Sequence, residues 1–378
     1  MGLRIKIITI ITKMIRHSFL PYIFPFMILT LISGLLAGLV RIGWGLGFPI
    51  TAVAARHGAI MVGSFLGTLI CLERVVLIRR KWALILPVVN CTSLAFFFVN
   101  ADTLAFIVLT LSSFGQAILL GFLYEKNKEK YLIVILAGSL CWLVGNLIWL
   151  KFHLYPMSVP WWMAFLLFTI TGERIELTKF LPVKNWSKMI LLLVLMLFTL
   201  GIIIPFHGVG KYLAGAGCIL AGFWLLHYDM YRKAIKSKGQ HRYSAINLLF
   251  GYGWLVISGL MFFYGDISAF IYDALIHTFF IGFVFSMIFA HGPIVLPGIL
   301  GFNIRLYNPQ LYLFTGLLHI SLIVRIIADL FAMPTTRIWS GLVNGMAIFG
   351  FFISMAVLMV IKKGARQQYI DSSGIKSK

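Results

Sequence analysis

The sequence predicts an all-α, polytopic membrane protein with twelve transmembrane helices. Of its 378 residues, 61% are hydrophobic, well above the apolar share of a soluble globular domain. The mean hydropathy is +0.97. The apolar stretches are long enough to cross about 30 Å of hydrocarbon, which takes roughly 17 to 25 residues. The longest polar intervals, 174–188 and 231–243, are too short to fold as separate soluble domains.

Each predicted span is an apolar stretch bounded by charged or polar residues. Residues 19–361 therefore form the helical bundle. Residues 1–18 alternate apolar and basic side chains, which predicts an interfacial helix on the cytoplasmic face, and residues 362–378 form a cytoplasmic tail. We place the spans at 20–42, 57–78, 82–99, 103–124, 131–150, 159–174, 189–206, 211–230, 244–264, 269–291, 310–331 and 339–361.

The distribution of lysine and arginine predicts that both termini are cytoplasmic. Most of the 32 basic residues fall in segments on one side of the bundle. The net charge of +21 is therefore a topology signal for a multi-pass protein of the plasma or inner membrane. The basic residues lie in short loops against an anionic lipid leaflet, so the net charge does not indicate a nucleic-acid partner. The predicted outer side keeps Arg41, Arg56, Lys151, Lys211, Arg325 and Arg337.

A weak internal repeat links three of the predicted spans. Span two ends in Glu73-Arg74, span six ends in Glu173-Arg174, and span ten ends at a similar depth in His291-Gly292. Four spans separate successive copies, which predicts three pseudo-repeated arcs of four helices. The alternative is that Glu-Arg pairs at membrane interfaces are structural ion pairs.

Four histidines fall within predicted spans: His57, His277, His291 and His319. His57 and His277 enter from the same side at similar depth. If spans two and ten are neighbours, the two imidazoles face each other across a gap that suits a low-spin heme. Glycines in both spans, Gly58, Gly63, Gly67 and Gly282, would let the ring edge approach the backbone. The alternative is that these glycines serve helix packing and each histidine bonds a neighbouring helix.

Further residues could support this site or form a second one. Asp273 precedes His277 by one helical turn and could accept its free N–H, or could be an interfacial carboxylate in water. His291 with His319 could form a second metal site, for copper or a second heme. Pro293 and Pro297 are expected to break the helix just after His291.

The segment from His57 to Met61 resembles the His-Gly-x-x-Met stretch on the second helix of heme-copper oxidase catalytic subunits. The segment from Ala274 to Pro293 is similar to span ten of the NnrS-like membrane proteins, and by topology the resemblance covers roughly residues 20–361. It implies a b-type heme held by His57 and His277. Gly58 and Met61 would lie beside it. Arg325 would lie near the heme propionates, or would instead pair with Asp329 four residues later.

The resemblance implies a role in electron transfer or in nitric oxide and denitrification stress, with a respiratory electron donor and a gas such as nitric oxide as partners. An oxidase needs copper-binding histidines on helices six and seven. Span six has none, and span seven has none before His207, so oxygen reduction is not expected and catalysis stays open. The alternatives are a secondary transporter and a scaffold subunit of a respiratory complex. Gln116, Asn146 and Asn247 are the few mid-span polar residues, which favours a cofactor over a cargo.

Overall fold

The computed structural model describes residues 20–78, 81–204, 206–264, 268–300 and 304–372. The predicted interfacial helix at 1–18 lies outside these residues. Within the described ranges all regular structure is helical and no strand is present. We label the long helices α1 to α12 in chain order. Their bounds are α1 Leu20–Arg41, α2 50–78, α3 Trp82–Phe98, α4 Asp102–Asn127, α5 Lys130–Phe152, α6 Tyr155–Leu177, α7 Asn185–Ile203, α8 Lys211–Tyr228, α9 Gln240–Met261, α10 Ile271–Ile299, α11 Leu311–Leu330 and α12 Pro334–Ser372.

Ten of the helices in the described residues are long and apolar enough to cross a membrane. The two others are α3, which is shorter, and α6. Helix α6 has 23 residues, but proline, tryptophan and tyrosine near its start reduce its hydropathy. The chain is therefore a multi-pass helical membrane protein, and the predicted count of twelve spans includes α3 and α6.

One face of α4 shows how the bundle meets lipid. Its outward residues recur every three or four positions and are large and apolar, as expected where a helix faces hydrocarbon instead of water. Each is between 41% and 58% exposed. These residues are Leu104, Ile107, Leu111, Phe114, Ile118 and Phe122.

Small residues let neighbouring helices approach closely. A Cβ on Gly259 of α9 would lie 2.6 Å from the carbonyl oxygen of Gly215 on α8, and a Cβ on Gly138 of α5 would lie 2.9 Å from the carbonyl oxygen of Phe165 on α6. Such contacts gain van der Waals energy where lipid offers no hydrophobic driving force between helices. Helix α6 is consequently enclosed, with Trp162 and Met163 almost fully buried.

Three predicted boundaries need correction. Helix α2 begins at Ile50, so His57 lies inside the helix and does not open it. Helix α10 continues through Pro293 and Pro297 to Ile299, because the surrounding bundle tolerates prolines that would break an isolated helix. Helix α12 continues to Ser372, so the predicted tail begins as helix.

Two wide helical segments follow the site histidines. Residues Ile60–Gly67 of α2 and Thr278–Phe285 of α10 are π-helical. The first begins three residues after His57 and the second directly after His277. The rings of Phe65 and Phe285, one from each segment, lie 6.3 Å apart. π-Helical turns inside α-helices occur frequently at functional sites. Their presence beside both His57 and His277 therefore favours a functional role for these two segments.

Candidate functional site

His57 of α2 and His277 of α10 face each other across a cleft. Their ring centroids lie 6.4 Å apart, and the ring planes are within 16° of parallel. Both rings line a cavity of about 160 Å³ whose walls come from α1, α2, α6, α10, α11 and α12. The structure therefore brings together the two histidines that the sequence singles out.

Helix α1 fixes the orientation of His57. The Nδ1 atom lies 2.7 Å from the carbonyl oxygen of Gly34. A carbonyl only accepts hydrogen bonds, so Nδ1 carries the proton and the lone pair is on Nε2. Gly38 lies behind the ring, and a Cβ there would be 2.7 Å from Cε1 of His57. The ring can occupy this position because residue 38 has no side chain.

His277 has the same tautomer for the same reason. Its Nδ1 lies 2.8 Å from the main-chain oxygen of Asp273, so it donates there and leaves the lone pair on Nε2. The Asp273 carboxylate is farther away, with Oδ1 3.4 Å from Nδ1. The predicted partner residue is thus present, but its carbonyl is the closer acceptor. Nε2 of His277 lies 3.3 Å from Nη2 of Arg325.

A cluster of charged side chains closes one end of the cleft. Oδ2 of Asp273 lies 2.8 Å from Nη2 of Arg325 and 3.1 Å from Nη2 of Arg337. Nε of Arg337 lies 2.8 Å from Oδ1 of Asp329. Arg325 therefore pairs with Asp273, and the alternative pairing of Arg325 with Asp329 is not the one present. Arg41 also lines the cleft, which gives three arginines against two aspartates.

The predicted glycines divide into two groups. Gly58 lines the cleft, and a Cβ there would meet nothing within 4 Å. By contrast, a Cβ on Gly63 would collide with Leu109, one on Gly67 with Trp142, and one on Gly282 with Trp254. These three glycines serve helix packing. Met61 lines the cleft and packs against Gly34.

The residues present fit a heme held between two imidazoles. The rings of His57 and His277 leave a gap, with their centroids 6.4 Å apart, and a nitrogen of each ring could bind the iron of a heme placed there. In addition, Nε of Arg325 is buried without a hydrogen-bond partner, and such a donor suits an anionic propionate.

His291 and His319 have different neighbours. His291 lines a second cavity near the Arg74 end of the bundle. Nδ1 of His319 accepts a hydrogen bond of 3.0 Å from Nε1 of Trp254. Helix α11, which carries His319, contributes no residue to the cavity that His291 lines. The metal site predicted between the two imidazoles therefore has no shared cavity and stays a prediction.

No group of three or more His, Cys, Asp or Glu side chains in the described ranges is arranged to hold a metal ion. The pair of His57 and His277 has only two members and is not such a group.

Several residues of the site were not identified from the sequence. Gly34 and Gly38 are four residues apart on α1, a small-residue spacing that is itself a signal for close helix contact. The sequence predicted only that Arg41 and Arg337 lie on the outer side of the membrane. Asn344 of α12 lines the cleft, and its Nδ2 donates a hydrogen bond of 2.6 Å to Oγ of Ser321. Nothing in the sequence pattern distinguishes this asparagine.

A family model described as "Domain of unknown function (DUF8744)" matches residues 20–360. No curated protein and no solved structure matches the chain. The match covers the helical bundle and includes every residue of the cleft.

Proposed function

The chain belongs to the family described as "Domain of unknown function (DUF8744)", and for this member we propose an integral membrane heme protein that acts in electron transfer. A b-type heme would be held between Nε2 of His57 and Nε2 of His277. The observation that carries the proposal is the facing pair of rings, 6.4 Å apart and nearly parallel, each with its lone pair left on Nε2.

Other residues have defined tasks in this proposal. The carbonyls of Gly34 and Asp273 hold the two tautomers, which leave the lone pair of each ring on Nε2. On His277 this nitrogen accepts a hydrogen bond from Nη2 of Arg325, and iron would take the place of that donor. Arg41, Arg325 and Arg337 line one end of the cleft and would hold the propionates. Gly58 leaves open space for the ring edge. A bound heme supplies reversible one-electron chemistry, which the protein tunes through its ligands and surroundings.

Electron transfer is favoured over direct nitric oxide chemistry because a heme held by both His57 and His277 would have no open position on the iron for a gas. A role in nitric oxide or denitrification stress, as in the NnrS-like and heme-copper oxidase-like proteins, would then be exerted through electron delivery. The partner in that case is a respiratory electron donor. A copper ion or a second heme shared by His291 and His319 forms no part of the proposal, since α11 contributes no residue to the cavity that His291 lines.

We also propose that α3 and α6 cross the bilayer with the ten apolar helices, that both termini are cytoplasmic, and that the protein lies in the plasma or inner membrane. The contact between the two Glu-Arg segments, in which Arg74 of α2 pairs with Glu173 of α6, supports a pseudo-repeated arrangement of helices. Labelling of single cysteines added at each terminus with a membrane-impermeant maleimide tests the orientation. Labelling from the outside of intact cells would overturn it.

The optical spectrum tests the heme proposal. Full-length protein, expressed with sufficient heme and purified in mild detergent, should show a Soret band and, after dithionite reduction, the sharp α and β bands of low-spin iron. A pyridine hemochromogen assay should give about one heme per chain. A protein without a Soret band would overturn the proposal and favour the transporter alternative.

A further inference from the structure

A larger cavity lies near the Arg74 end of the bundle. Its volume is about 460 Å³, and α1, α2, α6, α9, α10 and α12 supply its walls. The three segments of the weak sequence repeat meet here, since Arg74, Glu173 and His291 all line it. The proposed heme site uses none of these three side chains.

Most of the cavity wall is apolar. Met27, Leu166 and Leu248 contribute side chains from α1, α6 and α9, and Phe351 of α12 adds an aromatic face. Phe351 is held in place by Phe289 of α10, whose ring centroid lies 4.0 Å away at an interplanar angle of 12°. Such a wall suits an apolar ring or chain and offers few groups to hold water.

The polar end of the cavity contains one imidazole acceptor. Nδ1 of His291 lies 2.6 Å from the main-chain oxygen of Met287. The carbonyl accepts, so Nδ1 carries the proton and Nε2 is free to accept a hydrogen bond from a ligand. His291, which lines the cavity, thus has its lone pair on Nε2, as His57 and His277 do.

The same end contains two buried arginines with unused donors. The side chains of Arg74 and Arg174 are 4% and 5% exposed. Arg74 pairs with Glu173, and Nη1 of Arg174 lies 3.9 Å from Oδ2 of Asp229. Nε of each arginine is buried without a hydrogen-bond partner. A buried donor without a partner costs about 1 to 3 kcal/mol, which a ligand oxygen would offset.

These groups together define the chemistry of the occupant. It needs an apolar body, a hydroxyl to donate to His291, and an oxygen to accept from an arginine. It should carry no negative charge, because the four carboxylates that line the cavity, those of Glu73, Glu173, Glu176 and Asp229, outnumber its two arginines. A tetrapyrrole with two carboxylates would find no net positive charge here, unlike in the cleft, where three arginines face two aspartates.

We propose that this cavity binds a membrane-soluble quinol. Its ring would lie among the apolar residues, with one hydroxyl on Nε2 of His291. Exposed Ile294 and His241 both line the cavity, so it reaches the protein surface. Leu66 lines this cavity and also the cleft, which places the quinol next to the proposed heme. A role as electron donor rests on the proposed heme function, whereas the binding itself does not.

Titration of purified full-length protein with decyl-ubiquinol, followed by calorimetry, tests the inference. The quinol should bind more tightly than decyl-ubiquinone, which has no hydroxyl to donate to His291. The His291→Ala variant should weaken quinol binding about three- to tenfold, the range expected for one hydrogen bond. His319→Ala is the matched control, since His319 is buried outside this cavity, and its affinity should be unchanged.

A cavity-filling variant keeps the test independent of His291. Ala245 lines the cavity and is fully buried, so Ala245→Leu should reduce quinol affinity while thermal unfolding confirms a folded chain. Equal affinity in Ala245→Leu, His291→Ala and the parent protein would overturn the inference. A second equivalent of heme iron, lost in His291→Ala, would also overturn it. His57→Ala should lose heme yet still bind quinol, so failure of one proposal is distinguishable from failure of the other.

Discussion

Gly38 of α1 lies directly behind the imidazole of His57. A Cβ at this position would be 2.7 Å from Cε1 and 2.8 Å from Nδ1 of that ring. One turn earlier, the carbonyl of Gly34 accepts the hydrogen bond from Nδ1. The first helix therefore provides both the space for the ring and the group that orients it. The geometry of the candidate heme site depends on α1 as much as on α2.

We predict that Gly38→Val displaces the His57 ring and reduces heme content by at least half, because the added methyl groups occupy the space of the imidazole. Heme per chain, measured by the pyridine hemochromogen assay, is the test. Gly316→Val on α11 is the control, since a Cβ there meets nothing within 4 Å. Equal heme loss in both variants would mean that the loss comes from placing valine in a helix and not from a clash with the His57 ring.

His57→Ala and His277→Ala should each abolish the low-spin spectrum, because each removes one of the two proposed axial nitrogens. Each should also reduce thermal stability, since heme binds only the folded chain. At heme concentrations of 100 to 1,000 times the dissociation constant, this linkage stabilises the fold by about 3 to 4 kcal/mol. His227→Ala, at the end of α8, should change neither property. Similar spectra for all three variants would rule out the axial pair.

Gly58→Leu separates heme binding from folding. The position has open space around it and lines the cleft, so a leucine should enter the volume that the heme requires. We expect the heme content to fall severalfold while the unfolding temperature of the heme-free protein stays within about 3 °C of the parent. A variant that unfolds early would instead indicate that residue 58 is a packing position, as at Gly67.

Asp273→Asn tests the charged cluster. The carboxylate bridges Arg325 and Arg337, and loss of its charge leaves two largely buried arginines with less compensation. Breaking such a pair costs about 3 to 5 kcal/mol, which thermal unfolding in detergent should detect. Glu125→Gln is the control, because its pair with Lys128 is exposed and should contribute well under 1 kcal/mol. Comparable stability of the two variants would contradict the role assigned to Asp273.

The apolar stretches made the helical bundle predictable. A helix in lipid must satisfy its own backbone hydrogen bonds, so each run of apolar residues predicts one helix, and α1 to α12 overlap the predicted spans. Depth was predictable as well, because a fixed rise of 1.5 Å per residue places His57 and His277 at similar levels. Helix ends were less predictable, as at Ile50, Pro293 and Ser372, because neighbouring helices decide where a helix stops.

Local composition and spacing are enough to predict a helical membrane protein and to identify the histidines within its helices. They do not predict which helices are neighbours, which the folded structure shows. In that structure His57 lies beside His277, Arg325 pairs with Asp273 instead of Asp329, and His319 lies beside Trp254. Helix packing depends on the shapes of all the facing side chains at once, and one residue's position along its own helix does not contain that information.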